Sequence, residues 1–214
     1  MIIIFDWDGT LCDSVEHIVA AMQAAAAEFE VPAPAAPAIR DIVGLGLPQA
    51  MAVLFPQLQE QLQLKLRDAY SQHYVSADSG PASLFGGAME TLLALRSRDF
   101  ELAVATGKSR RGLNRVLSGL GLEEFFDITR CADETRSKPH PQMLNEIMHE
   151  RDKGPHEVVM VGDTEYDLGM AREAGVRSVG VSFGVHSTER LAHYEPMAII
   201  DALPQLLELE LQAS

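Results

Sequence analysis

The first fourteen residues constrain this chain most. Met1-Ile2-Ile3-Ile4-Phe5 is an apolar run that passes directly into Asp6-Trp7-Asp8-Gly9-Thr10. Successive isoleucines and a phenylalanine suit a strand buried on both faces, as in a parallel sheet. Such a strand does not end in two acids without a reason. Asp6 and Asp8 are two residues apart, so an extended backbone sends both to the same side. Gly9 permits a sharp turn with the backbone close to another group. In open α/β sheets, ligands gather beyond the carboxyl ends of the strands. Two acids there, without a basic neighbour in sequence, call for a cation, and oxygen-only donors on a tight turn suit Mg²⁺. The plainer alternative is a strand closed by a polar turn, with Asp8-Gly9 as turn residues.

Beyond Ser14 the pattern changes. Residues 15–78 carry helical spacing and no strand signal, broken by the proline-alanine run at 31–37 and by Gly44-Leu45-Gly46. Asp78-Ser79-Gly80-Pro81 is a turn cluster and a candidate hinge. From there strands and helices alternate. Strands are predicted over residues 100–105 and 158–161, shorter ones over 126–131, 178–181 and 198–200, and a closing helix over 202–211. This alternation predicts an α/β fold with a doubly wound, Rossmann-like parallel sheet. The core domain comprises residues 1–14 and 79–214. A small all-helical cap domain, 15–78, is inserted after the first strand. It follows the two acids, so it stands over the carboxyl ends of the strands, where a lid belongs.

A length of 214 residues allows one large domain or two small ones, and the apolar content of 47% supports a sizeable core. Net charge is −14 and the isoelectric point about 4.8. This disfavours nucleic acid and anionic membrane surfaces, which need a basic footprint. An anionic small molecule remains compatible if a metal and a few placed cations reverse the sign locally. Cys12 and Cys131 suggest neither a disulfide framework nor a zinc site, and a reduced, cytoplasmic compartment is the reading. The opening run is too short for a signal peptide, and no stretch approaches the ~20 apolar residues of a membrane span. A monomer or a dimer fits equally. The seven histidines form no metal-spaced pair on one helix face and read as surface or loop residues. Cys12 reads as a small helix-packing residue.

Three further strand ends carry polar residues. Thr106 and Gly107 offer a hydroxyl and exposed amides for phosphate oxygens, ahead of a helix start; helix capping at Thr106 or Ser109 is the bland alternative. Lys138 stands between serine and proline in Ser137-Lys138-Pro139-His140-Pro141. It is placed to neutralise phosphate and carboxylate together, against the default of a solvated lysine. Asp163 and Asp167 follow the strand at 158–161; the alternative for them is an acidic first helical turn favoured by the helix dipole.

Asp6-Trp7-Asp8-Gly9-Thr10 resembles the nucleophile motif of the haloacid dehalogenase superfamily of phosphatases. Leu11, Asp13 and Ser14 resemble the subgroup that contains phosphoglycolate phosphatases. Thr106, Lys138-Pro139 and Gly162-Asp163 with Asp167 resemble the superfamily's later motifs, in order. Val43-Gly44-Leu45-Gly46, residues 84–87 and residues 180–184 extend the resemblance over nearly the whole chain. The run at 31–37 and Glu195-Pro196 depart from it. The resemblance implies a Mg²⁺-dependent phosphatase acting on a small phosphorylated metabolite. Asp6 would be the nucleophile, forming an aspartyl-phosphate, and Asp8 the general acid and base. Mg²⁺ would be bound by Asp6, the backbone carbonyl of Asp8, and Asp163, with Asp167 at or near the metal. Thr106, Gly107 and Lys138 would hold phosphate. Relatives that act as dehalogenases carry tyrosine at the position of Asp8, and phosphonatases alanine. A phosphomutase keeps the same pair and stays an alternative, as does a non-catalytic binding module. In the cap, the resemblance turns Arg40, Gly44 and Gly46 toward the active site. There Arg40 would grip a substrate carboxylate such as that of 2-phosphoglycolate, or would simply be an exposed helix arginine.

Overall fold

Side chains that alternate along each central strand fall into two separate apolar layers. In the computed structural model, which describes residues 1–76 and 83–211, Ile3 and Phe5 of β1 (Ile2–Phe5) join one layer and Ile2 and Ile4 the other. β2 (Glu101–Thr106) and β4 (Val158–Gly162) divide in the same way. Both faces are covered, which explains why these strands read as unbroken apolar runs. β3 (Ile128–Cys131), β5 (Arg177–Val181) and β6 (Ala198–Ile200) complete the set. Among the described residues the six strands form one sheet, order β3-β2-β1-β4-β5-β6, with every pair parallel.

One layer is covered by α5 (Ala88–Ser97) and α6 (Arg110–Leu120), the other by α7 (Gln142–Glu150) and α8 (Glu165–Glu173). α9 (Thr188–Ala192) lies between β5 and β6 in sequence. The direction of strand succession reverses between β1 and β4, and a crevice opens beyond their carboxyl ends at such a point. Asp6 continues β1 there, its amide donating to the Val161 carbonyl at 2.9 Å.

Among the described residues, four helices separate β1 from α5: α1 (Val15–Glu28), α2 (Ala36–Asp41), α3 (Leu47–Leu54) and α4 (Glu60–Ser76). They enclose an apolar cluster of their own, with Met22, Ile39, Met51, Phe55 and Leu66 almost fully buried. The chain leaves and re-enters the sheet region side by side. Asp13 N donates to Ser83 O and Phe85 N to Leu11 O, both at 2.9 Å, about an antiparallel bridge between Cys12 and Leu84. Cys12 therefore lies in this bridge ahead of α1 and packs in the core beneath it. The hinge expected at Asp78 to Pro81, and with it the boundary at 78 and 79, lies outside the described residues.

The closing helix expected over 202–211 is instead a 3₁₀ segment, Leu203–Glu208. The chain then extends, which lets Leu211 bury its side chain in the core while its carbonyl accepts from Arg177 at 2.6 Å. No helix among the described residues is long and apolar enough to cross a membrane.

Candidate active site

The end of β1, the end of β4 and the start of α8 bring Asp6, Asp163 and Asp167 together. All three are fully buried, and one carboxylate oxygen from each lies within 4.8 Å of the others. Lys138, from the loop before α7, is also buried; its Nζ donates to Asp6 Oδ1 at 2.7 Å and to Asp167 Oδ1 at 2.6 Å. It is therefore no surface lysine. Burial pushes the Asp6 carboxyl well above the usual range; Lys138 pulls it back, and Asp167 and Asp163 push it further up. Burial and the Asp167 charge raise Asp163 likewise. For Lys138, burial acts downward, but the Asp167 and Asp6 carboxylates outweigh it and hold the ammonium above the usual lysine value.

The second oxygens of these acids differ. Asp167 Oδ2 accepts from the Thr164 amide at 3.1 Å and hydroxyl at 2.6 Å, a consequence of Thr164 capping α8. Asp163 Oδ1 accepts from the Thr10 hydroxyl and Oδ2 from the Val185 amide, both at 2.9 Å. Among the described residues, Asp6 Oδ2 is buried without a hydrogen-bond partner. An orphaned carboxylate oxygen beside two further carboxylates fits a hard divalent cation. Gly9 makes the close approach possible. It sits at φ +82°, and a Cβ there would lie 2.3 Å from Asp163 Oδ2.

Asp8 turns away from this cluster toward the helices. Its carboxylate accepts from Ser14 Oγ and pairs with Lys108 Nζ at 3.0 Å. Lys108 Nζ also donates to the Tyr74 hydroxyl of α4 at 3.2 Å. Thr106 is buried, and its Oγ1 accepts the Lys108 amide at 3.2 Å, shaping the turn after β2. Ser109, not Thr106, caps α6, accepting from Gly112 N at 3.2 Å.

The α2–α3 loop closes over this end of the sheet. A Cβ on Gly107 would lie 2.6 Å from both the Gly44 and Leu45 carbonyl oxygens. Gly46 N donates to Ser137 Oγ at 2.7 Å, next to Lys138. Gly44 and Gly46 thus lie against the neighbours of Thr106 and Lys138. The third cap residue, Arg40, is paired within the cap. Its guanidinium is engaged by Glu16 of α1, at 2.6 Å, in an exposed pair. On the far side of the loop, Asp41 pairs with Arg190 of α9, and its carbonyl accepts from Tyr166 at 2.9 Å. His186, a loop residue, is buried here; its Nδ1 accepts from Glu165 N at 2.9 Å.

Sequence reasoning did not single out Lys108, Tyr74, Thr10, Ser137 or Val185. Lys108 had a signal, since it continues the Thr106-Gly107 turn. The others make their contacts with residues distant in sequence.

A buried acid cluster at the switch point of a Rossmann-like sheet, under a helical insert, defines an α/β protein with a cation-dependent candidate site. Residues 3–181 match the family model of the haloacid dehalogenase-like hydrolases, and the chain belongs to that family. It is 34% identical over 211 residues to the probable phosphatase IndB of Dickeya dadantii, covering 96% of this chain and 91% of the relative. It is 32% identical over 219 residues to a phosphoglycolate phosphatase of Vibrio vulnificus, covering 98% and 96%. Among solved structures, a haloacid dehalogenase-like family hydrolase from Streptococcus pneumoniae matches with a TM-score of 0.83 at 26% identity, over 96% of each chain.

Proposed function

We propose that this chain is a Mg²⁺-dependent phosphatase that hydrolyses a small phosphomonoester through an aspartyl-phosphate, with 2-phosphoglycolate as the leading substrate. The observation that carries this reading is the division of charge around Asp6 and Asp8. Asp6, Asp163 and Asp167 with Lys138 leave a formal charge of −2, which one divalent cation cancels. Asp8, the proton carrier, stands outside that cluster and pairs separately with Lys108.

Asp6 attacks phosphorus, the ester P–O bond breaks, and Asp8 delivers its proton to the departing oxygen. Water then attacks the same phosphorus. Asp8 takes the water proton, the P–O bond to Asp6 breaks, and free phosphate leaves with Asp6 restored as a carboxylate. Lys138 fixes the orientation of Asp6 and meets charge on the transferring oxygens, together with Thr106 and the Gly107 amide. Mg²⁺, held by Asp6, Asp163, the Asp8 carbonyl and Asp167, would supply the remaining charge stabilisation and shield the carboxylates from the phosphate. Gly44 and Gly46, docked on Gly107 and Ser137, exclude water from the attack. The name of the Vibrio vulnificus relative supports 2-phosphoglycolate.

Phosphate release from 2-phosphoglycolate and a panel of sugar phosphates tests the reading. Strong release with Mg²⁺ is the expected result. Release below a per cent of turnover, with isomerised sugar phosphate accumulating, would identify a mutase, and no reaction on any substrate a binding module.

A further inference from the structure

We propose that Lys108 is the specificity-determining residue, its ammonium binding an anionic group on the leaving side of the substrate, either a carboxylate or a second phosphate. The proposal rests on the phosphatase reading above.

The cations of the site are sorted between the two ends of a substrate. Lys138 is committed to Asp6 and Asp167, which face the phosphoryl group. Lys108 is paired with Asp8, which serves the leaving oxygen. A group one hydrogen bond from the Asp8 carboxylate lies beside the leaving group by construction. In a phosphorylated 2-hydroxy acid the carboxylate begins two bonds from that oxygen, and in pyrophosphate the leaving group is itself the anion. Either reaches Lys108.

The ammonium is prepared for such a role. An ammonium has three N–H donors. Asp8 and the Tyr74 hydroxyl take two of them, and among the described residues the third remains for a substrate oxygen. The side chain is only 10% exposed, so an anion there is little screened by water. Tyr74 is the positioning residue. Lys108 Nζ lies 4.7 Å from its ring centroid and the Arg115 guanidinium 5.5 Å, two cations against one ring. His17 fixes the ring from its edge at 4.3 Å, and its Nε2 meets the Tyr74 carbonyl at 2.7 Å. Arg40, the other candidate, is held by Glu16 in an exposed pair. An uncharged leaving group offers the ammonium nothing and gains nothing from it.

The test compares kcat/KM for 2-phosphoglycolate, pyrophosphate and ethyl phosphate, with Mg²⁺, in the full-length wild type, Lys108→Met and Lys108→Arg. The wild type should prefer at least one anionic-leaving-group substrate over ethyl phosphate by tenfold or more, and which one it prefers separates carboxylate from phosphate. In Lys108→Met that preference should fall at least tenfold, as for loss of a charged hydrogen bond, with most of the change in KM. Lys108→Arg should retain more of it. If the wild type treats the three alike, the proposal is overturned, whether or not the variants fold. It is also overturned if all three values fall in step in Lys108→Met, because Lys108 then only positions Asp8. A wild type inactive on all three overturns the phosphatase reading itself.

Discussion

Asp163 is held by two donors of different character. The Thr10 hydroxyl donates to one oxygen and the Val185 amide to the other. A hydroxyl can turn and accept instead, whereas an amide cannot. Asparagine at this position therefore fits, with its oxygen on Val185 N and its NH₂ on Thr10. The substitution removes one of three crowded carboxylates. Asp163 has a folded-state pKa raised to about 7 by burial and by Asp167. The folded state then holds that proton more tightly than the unfolded chain, and this contribution to stability is lost as pH rises from the ordinary carboxylate range through about 7. At pH 8 in EDTA, Asp163→Asn should melt higher than the wild type, by roughly 2–4 °C per kcal/mol of relieved repulsion. Mg²⁺ should raise the wild-type Tm and not that of the variant. The wild-type gain should shrink at pH 5.5, where protons compete with the metal. Thermal melts read all three, and a wild-type Tm indifferent to Mg²⁺ would remove the cation from the account.

At the scale of elements, the α2–α3 loop and the turn after β2 touch through backbone. Gly107 leaves no side chain between them, and the carbonyls of Gly44 and Leu45 occupy the space a Cβ would need. Backbone yields less readily than the end of a flexible side chain. Gly107→Ala should hold the loop off the site, admit water and lower kcat/KM at least roughly tenfold, while the melting of the protein changes little. Steady-state kinetics beside a melt checks this; an unchanged kcat/KM would show that docking of the loop is dispensable. The strands and the helical insert were legible because their signals are local. The runs at β1 and β4 are apolar throughout, the spacing in α1 and α4 is helical, and an acid after such a strand is visible without knowing its partners. The pairings of Arg40 and Lys108 are not legible in the same way, because their partners are not local. Glu16 lies on a different helix from Arg40, and Tyr74 of α4 meets Lys108 only once the insert has folded over the sheet. The segment after β6 failed for the same reason, since burial of Leu211 in the core decides its extended backbone.

The molecule as a whole carries a net charge of −14, and the proposed reaction brings a phosphate to three buried carboxylates. Lys138 and Lys108 are placed where that sum is most unfavourable, but they leave the acid cluster short of two positive charges. Activity should therefore disappear on EDTA treatment and return with Mg²⁺. Ca²⁺ should restore it poorly, because its larger and more variable coordination misplaces the nucleophile. Full turnover in metal-free buffer would mean that the acid cluster is not a metal site. Asp6 and Asp163 could be picked out in the sequence as acids closing apolar strands. The pairing of Asp6 with a lysine far along the chain could be expected only through resemblance.

The central claim is that the Asp6 carboxylate attacks phosphorus. Asp6→Asn preserves the shape of the side chain, and its amide oxygen can still accept from Lys138, so the fold should persist by circular dichroism. Mg²⁺-dependent phosphate release from 2-phosphoglycolate by the purified variant measures the claim directly. The account predicts a fall in kcat/KM of at least about a thousandfold, because an amide is no nucleophile. A folded Asp6→Asn protein that keeps a tenth or more of wild-type turnover would contradict it.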